Sequence, residues 1–410
     1  MERGVRFDNK VVYVIVGKRQ GSINDRVLKL VSLRKYFEKL VLVTIGKRNI
    51  SAEAISVKHY PNPTQILNRI RLRWLKKKID QYLFFPSKAI MFVKRVKKIL
   101  AASIAEDLKN GKQVCVLTIA PPHDISLVGL YLKKLYPQIR WIIDWQDLWS
   151  YDENYVQRIP FMYRDRMLRL EANLMRSSDL NITTNPYAKT VMEQHYKISS
   201  ERVVSISHHF NRDDLKFNTV ETKMMDDNDC NDVIRIGFMG ILFKPPRVPG
   251  DKVLDAINQV RESGLNVELH LFGNVPQETK QLEQSIREGV LFLHGKASHE
   301  ESLRKLGQCD YVLLALSDLP NCRAVMSIKL PHYLMLGHPI LGIVPKPSAT
   351  AEIITQTGSG FVIPSDGDWG EALLQILRDR KTKLQRNEQV IESYSWENIS
   401  KQWLSVLGSR

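Results

Sequence analysis

Short apolar runs alternate with longer segments whose apolar residues return every three to four positions, and the chain shows this rhythm twice. In the first half the runs are VVYVIV (11–16), LVLVTI (40–45), VCVLTI (114–119) and WIID (141–144). Runs of this length and β-branched character predict buried strands, and the amphipathic stretches between them predict helices. Strands that are apolar on both faces and separated by helices belong to a parallel sheet covered on both sides. In such sheets ligands bind beyond the carboxyl ends of the strands, so candidate site residues are sought just after each run.

Between about Lys216 and Asp232 the pattern stops in a polar, acidic stretch, NTVETKMMDDNDCND, which reads as a linker. A second series follows with VIRIGFMG (233–240), VELHLFG (267–273), VLFLHG (290–295), YVLLAL (311–316), HPILGIV (338–344) and GFVIP (360–364). The expected organisation is an N-terminal domain over 1–215, a linker over 216–232, a second domain over 233–390 and a closing helix over 391–410. The fold class is α/β, with two Rossmann-like, doubly wound domains expected to face each other across a cleft. A length of 410 residues suits two cores, since one core rarely grows beyond roughly 250 to 300 residues.

Composition changes this picture little. The hydrophobic share of 43% and charged share of 25% are those of a globular protein. Cys115, Cys230, Cys309 and Cys322 lack paired spacing, so neither a zinc site nor a disulfide framework is expected, and a cytoplasmic setting fits. The N-terminus has no secretory pattern, and no apolar stretch approaches the roughly 20 residues that cross a bilayer.

Charge adds more. The net charge is +16, and eleven Lys or Arg fall between Ile66 and Leu100 against one acid, Asp80, with Trp74, Tyr82, Phe84, Phe85, Met91 and Phe92 interleaved. That make-up suits contact with anionic lipid headgroups, and so a peripheral position at the inner face of a membrane. It equally suits a solvated helical face whose aromatics enter the core. No recognition motif accompanies the charge, so nucleic acid is not an expected partner.

Candidate chemistry lies after the strands. In the second half Gly240 turns the chain into ILFKPPRVPGDK, where Lys244, Arg247 and Lys252 follow a strand end. A guanidinium suits bidentate phosphate contact, which makes Arg247 the candidate here; the same loop also reads as an exposed basic one. In MSIKLPHYLMLGHPILGIV, Ser327 is placed to cap a helix carrying Lys329 in its first turn and ending at Gly337. A helix start with a nearby lysine favours a diphosphate. In the first half, Gly17 and Gly21 frame a turn that either admits a substrate or is simply tight. His123 follows two prolines at a helix start, where imidazole can hydrogen-bond a ligand, assist proton transfer or only begin the helix. Asp144 and Asp147 follow a strand, so either carboxylate can orient or deprotonate a hydroxyl, with Asp147 the stronger candidate. Trp145 and Trp149 read as core residues or as flat surfaces for a ring ligand.

Taken together, FMG with its basic loop, FLHGKASHEESLRKLGQCDYVLLAL, KLPHYLMLGHPILGIV and TIAPPHDISLVGLYLKKLYPQIRWIIDWQDLWSYDENY resemble family-4-type glycosyltransferases of the GT-B fold over most of residues 10–405. The resemblance implies transfer of a sugar from a nucleoside diphosphate sugar, UDP- or GDP-linked, to an acceptor hydroxyl, with retention of anomeric configuration and no metal or other cofactor. It implies Arg247, Lys329 and Ser327 as diphosphate contacts, and a base-bordering turn at Gly295, Lys296 and Ala297. With a membrane face, a lipid-linked saccharide in surface polysaccharide or glycolipid assembly becomes the natural acceptor. Two positions depart from the family pattern: His332 stands where relatives carry the glutamate that accepts from ribose hydroxyls, and Ala324 replaces its companion acid. A noncatalytic sugar-nucleotide-binding protein and a sugar-nucleotide epimerase of the same fold are the alternatives. The turn Ile206, Ser207, His208, His209 replaces an isoleucine-proline-asparagine-glycine turn, and its histidines lack the further ligands a metal needs.

Overall fold

The computed structural model of the chain describes residues 6–19, 23–46, 49–50, 53–57, 79, 82, 85, 90–151, 156, 159–215, 233–244, 248–273, 280–379 and 384–409. It falls into two units, Met1–Ser207 with Ser400–Arg410, and His208–Ile399. The first unit thus ends eight residues before the expected linker, and the closing helix Trp396–Gly408 contributes its residues from Ser400 onward to the first unit.

The first unit carries β1 (Phe7–Arg19), β2 (Phe37–Ile45), β3 (Asn49–Ile50), β4 (Ala54–Val57), β5 (Gln113–Ala120), β6 (Arg140–Trp145), β7 (Leu180–Thr183) and β8 (Val203–Ser205). They form one sheet in the order β3-β4-β2-β1-β5-β6-β7-β8, parallel except for the β3/β4 pair. Val11 to Val16 are all buried, as are Val114 to Ala120, because helices cover both faces and leave no side for polar residues. Helix Ile90–Lys109 shows the mechanism: Phe92, Val93, Val96, Leu100 and Ile104 recur at helical spacing and are buried, while Lys94 and Lys98 face outward. In this described end of the basic region, Phe92 is a core residue; most of residues 66–89 lie outside the described residues.

The second unit carries β9 (Ile234–Met239), a two-stranded antiparallel pair β10 (Phe243–Lys244) and β11 (Val248–Pro249), β12 (Val267–Phe272), β13 (Leu291–Leu293), β14 (Tyr311–Ala315), β15 (Ile340–Val344) and β16 (Gly360–Pro364). Six of these make a parallel sheet in the order β13-β12-β9-β14-β15-β16. Helices Gly250–Glu262 and Trp369–Arg378 bury Val253, Leu254, Ile257, Leu373 and Leu377 on one face, and helices His299–Leu306 and Leu330–Leu336 bury Leu303, Leu306, Leu330 and Leu334 in the cluster on the other.

In both sheets the strand order reverses beside the first strand, between β1 and β5 and between β9 and β14. Diverging connections leave a crevice at such a switch point, and this is where each unit has its candidate residues. Among the described residues, no helix is long and apolar enough to cross a membrane.

Candidate functional site

In the second unit, β9 ends at Met239 and the chain turns at Gly240 with φ +112°, a conformation L side chains rarely adopt. The Gly240 N–H donates to Phe272 O at 2.8 Å, so the turn is fixed to the end of β12. A Cβ on Gly273 would lie 2.0 Å from Gly240 O, which makes the two turns a close glycine-to-glycine contact.

Helix Leu330–Leu336 is tied to the same place. The buried Tyr333 hydroxyl accepts from the Met239 N–H at 3.1 Å. Lys329, immediately before the helix, places Nζ 4.0 Å from the centroid of the Phe238 ring. A Cβ on Gly240 would lie 2.9 Å from Lys329 Cε and Nζ. An ammonium with three donors, set over an aromatic face and against a backbone with no side chain, is placed to meet an anion that approaches closely.

The helix begins at Leu330, two residues later than a cap at Ser327 would place it. Lys329 itself occupies the N-cap position, with no side-chain cap bond, and Ser327 Oγ instead accepts from the Lys329 N–H at 3.4 Å. Ser327 therefore tightens the turn that sets Lys329 rather than capping the helix. His332 is buried in the first turn, its ring 4.4 Å from that of His299 at 67°. That contact joins the Lys329 helix to the segment after Gly295 (φ +70°) and the exposed Lys296. Arg247 lies outside the described residues.

The first unit has its own cluster at the ends of β1, β5 and β6. His123 is buried, stacked on Trp149 with ring centroids 5.1 Å apart and planes 3° from parallel. Its Nε2 donates to the Asp147 backbone O at 2.9 Å. Burial pushes the imidazole down to about 4, against the opposing pull of Asp147, so the ring is neutral at pH 7. A neutral ring committed through Nε2 suits holding Asp147 in place better than proton transfer.

The two aspartates differ. Asp147 is half-buried, and its charge opposes the lowering that burial imposes on the nearby Lys18 ammonium. Asp144 is fully buried, and both of its oxygens are taken by Arg26: Nε to Oδ2 at 3.0 Å and Nη2 to Oδ1 at 2.9 Å. Its carboxylate is an internal counter-ion, so the expectation that it meets an acceptor hydroxyl gives way to this pairing. Trp145 and Trp149 are core residues, the former donating Nε1–H to Asn181 Oδ1 at 2.9 Å. A Cβ on Gly17 would lie 2.8 Å from Ile125 Cγ1 and 2.9 Å from Pro122, so this glycine lets β1 pass under the His123 turn. Gly21 lies outside the described residues.

Two residues absent from the sequence reading complete the cluster. Arg26 is one. The other is Glu171, fully buried, which accepts from the N–H groups of Trp149 at 2.6 Å and Ser150 at 2.9 Å, from Tyr196 OH at 3.0 Å, and from the Ser150 hydroxyl. Burial raises its carboxyl, with those four donors working the other way. A signal for Glu171 is present in the sequence, since Met167, Glu171 and Leu174 occupy one apolar stripe of helix Phe161–Ser177. Among the described residues no group of three or more His, Cys, Asp or Glu side chains is set to hold a metal.

Residues 234–379 match the family profile described as Glycosyl transferases group 1. By sequence, no protein of curated function matches the chain. Solved structures match over nearly the whole chain. The Anabaena protein HepE in complex with UDP is 14% identical, covering 98% of this chain and 100% of its own, with a TM-score of 0.64. An α,α-trehalose-phosphate synthase (UDP-forming) from Burkholderia vietnamiensis is 11% identical over 99% and 100%, at 0.63. Sucrose-phosphate synthase from Thermosynechococcus elongatus is 13% identical over 97% and 98%, at 0.62. The fold is therefore GT-B, and within it residues 234–379 of the second unit are similar to the glycosyl transferases group 1 family.

Proposed function

We propose that the chain transfers a glycosyl group from a nucleoside diphosphate sugar to an acceptor hydroxyl, with the donor diphosphate held by the second unit at Gly240 and Lys329. The observation that carries this reading is the Lys329 ammonium set against the Gly240 turn, at the switch point of the sheet. Positive charge there stabilises the negative charge that grows on the departing diphosphate, and Arg247 is proposed to add to it. These cations stand in for a divalent ion. UDP is the leading donor nucleotide because HepE was solved with it, and GDP is the next to test.

On the first unit Asp147 is the proposed group for the acceptor hydroxyl, with His123 holding its main chain and Asp144 anchoring the segment. Gly295 and Lys296 border the base in this reading, and His332 approaches the ribose with a single acceptor nitrogen where relatives offer a carboxylate. Retention of configuration, a lipid-linked saccharide acceptor and attachment to an anionic membrane through residues 66–100 follow from the resemblance and the charge of that segment.

A second reading is supported by the buried His332 and by Ala324, which replace two acids: the chain binds a sugar nucleotide without turnover. Incubation with UDP-sugars and GDP-sugars, alone and with saccharide or lipid-linked acceptors, separates the readings. New glycoside with release of UDP or GDP supports transfer. Tight donor binding with no product under any acceptor supports the second reading, and donor isomerised without acceptor supports an epimerase.

A further inference from the structure

Arg26 stands in the first turn of helix Asp25–Ser32 and is 1% exposed. Burying a guanidinium is costly unless its N–H groups find acceptors, and here they do so on segments far apart in the chain. Besides the two bonds to Asp144, Nη1 donates to Ser207 O at 2.6 Å and Nη2 to Ile206 O at 3.0 Å. The Cζ atom lies 4.9 Å from the centroid of the Trp403 ring, and Trp403 is fully buried.

Three of these partners share one property. Ile206 and Ser207 are the last residues of the first unit before the chain passes to the second, and Trp403 lies just after it returns at Ser400. Asp144 begins the segment that carries Asp147. A second link holds that segment to the same helix start: Asn24 Nδ2 donates to Gln146 Oε1 at 2.8 Å, Gln146 Nε2 donates to Asp144 Oδ2 at 3.4 Å, and Asn24 caps the helix by accepting from the Val27 N–H at 3.3 Å.

We propose that Arg26 is a positioning residue that fixes the Asp144–Asp147 segment to both stretches of chain joining the first unit to the second. It acts through Asp144 and touches no substrate. The inference rests on the reading of Asp147 as the acceptor-side carboxylate. A planar fork with donors in several directions is needed to serve one carboxylate and two carbonyls while stacking on an indole, and a lysine ammonium cannot reproduce that geometry. Displacing a reacting group by about 1 Å costs on the order of 100-fold in rate, so loss of this clamp is expected in turnover and not in donor binding.

The test compares wild type with Arg26→Lys, Arg26→Met and Asp144→Asn in the full chain. UDP affinity reports on the second unit and should stay within about twofold in every variant, which also counts the folded molecules. For the donor sugar that the wild type turns over, kcat per UDP-binding site should fall on the order of 100-fold in Arg26→Met while the donor KM holds. Hydrogen exchange should rise together over residues 140–147, 203–207 and 400–407. A variant with raised exchange in all three segments and unchanged kcat would overturn the positioning role. Exchange confined to the helix Asp25–Ser32 would overturn the clamp itself. Should Arg26→Met not fold, Arg26→Lys and Asp144→Asn carry both arms. A wild type that makes no product under any donor and acceptor defeats the transferase reading, whereas the exchange measurement decides the clamp independently.

Discussion

The Lys329 ammonium stands 4.0 Å from the centre of the Phe238 ring, which joins the start of helix Leu330–Leu336 to the carboxyl end of β9. Phe238 is buried, so the lysine cannot settle deeper, and Gly240 leaves it space on the other side. A charge held in this way is pre-organised for an anion, because little reorganisation is required when the anion arrives.

Gly240→Ala should injure both fold and binding. The new Cβ would meet Lys329 Cε and Nζ at 2.9 Å and would force an L residue to φ +112°. A loss of about 1–2 kcal/mol in stability is expected from the backbone conformation. Displacement of Lys329 should weaken UDP binding by about tenfold or more, equivalent to about 1.4 kcal/mol. Denaturant titration and calorimetric binding measure the two separately.

Tyr333→Phe should act through the same joint. It removes the hydroxyl that accepts from the Met239 N–H and leaves a part-buried donor without that partner, at a cost of about 1 kcal/mol. Amide exchange at Met239 should accelerate, and UDP affinity should fall less than in Gly240→Ala because Lys329 keeps its place over Phe238.

His123 sets a pH dependence of known sign. Its folded value, about 4, lies below the ordinary 6.5, so the unfolded chain binds the proton first. Stability should therefore fall as pH drops from about 6.5 toward about 4. His123→Phe keeps a ring against Trp149 and should lose that part of the slope in chemical denaturation. An acid limb in kcat/KM near 6.5 that disappears in this variant would show instead that His123 titrates normally and transfers protons.

Glu171 gives the opposite sign. Burial raises its carboxyl above the ordinary 4.5, so stability attached to the neutral form is present below about 4.5 and is lost as pH rises toward the folded value. Glu171→Gln should flatten that portion of the stability curve. It should also cost about 2 kcal/mol at pH 7, because an amide offers one oxygen to the N–H groups of Trp149 and Ser150, which here use different oxygens. Unfolding curves from pH 4 to 8 for both proteins decide it.

Much of this architecture could be read from pattern. Runs such as VVYVIV and YVLLAL are buried on both faces, and that double burial gives them an unbroken apolar character. The Gly240 turn and Lys329 were legible because each follows or precedes an element whose limits are marked, by a strand end and by the Gly337 stop. What pattern missed was the use of charge inside the fold. Arg26 sits beside Val27 in a short helix and reads as a surface cation, while the acceptors that bury it, Asp144, Ile206 and Ser207, are more than a hundred residues away. Asp144 stayed a candidate beside the preferred Asp147 for the same reason, since only the tertiary partner identifies an internal counter-ion. Ser327 shows a finer limit: the residue was placed near the right turn, but its hydroxyl supports Lys329 because the helix begins at Leu330.

Lys329→Met tests the diphosphate assignment most directly, because the substitution keeps an apolar stem over Phe238 and removes only the charge. Titration calorimetry with UDP, and with GDP should UDP not bind the wild type, is the measurement. With the Lys329 ammonium on the diphosphate, the variant should stay folded and lose at least about tenfold in affinity, about 1.4 kcal/mol. Equal affinity in folded Lys329→Met, or a wild type that binds neither nucleotide, would contradict a diphosphate site at Gly240 and Lys329.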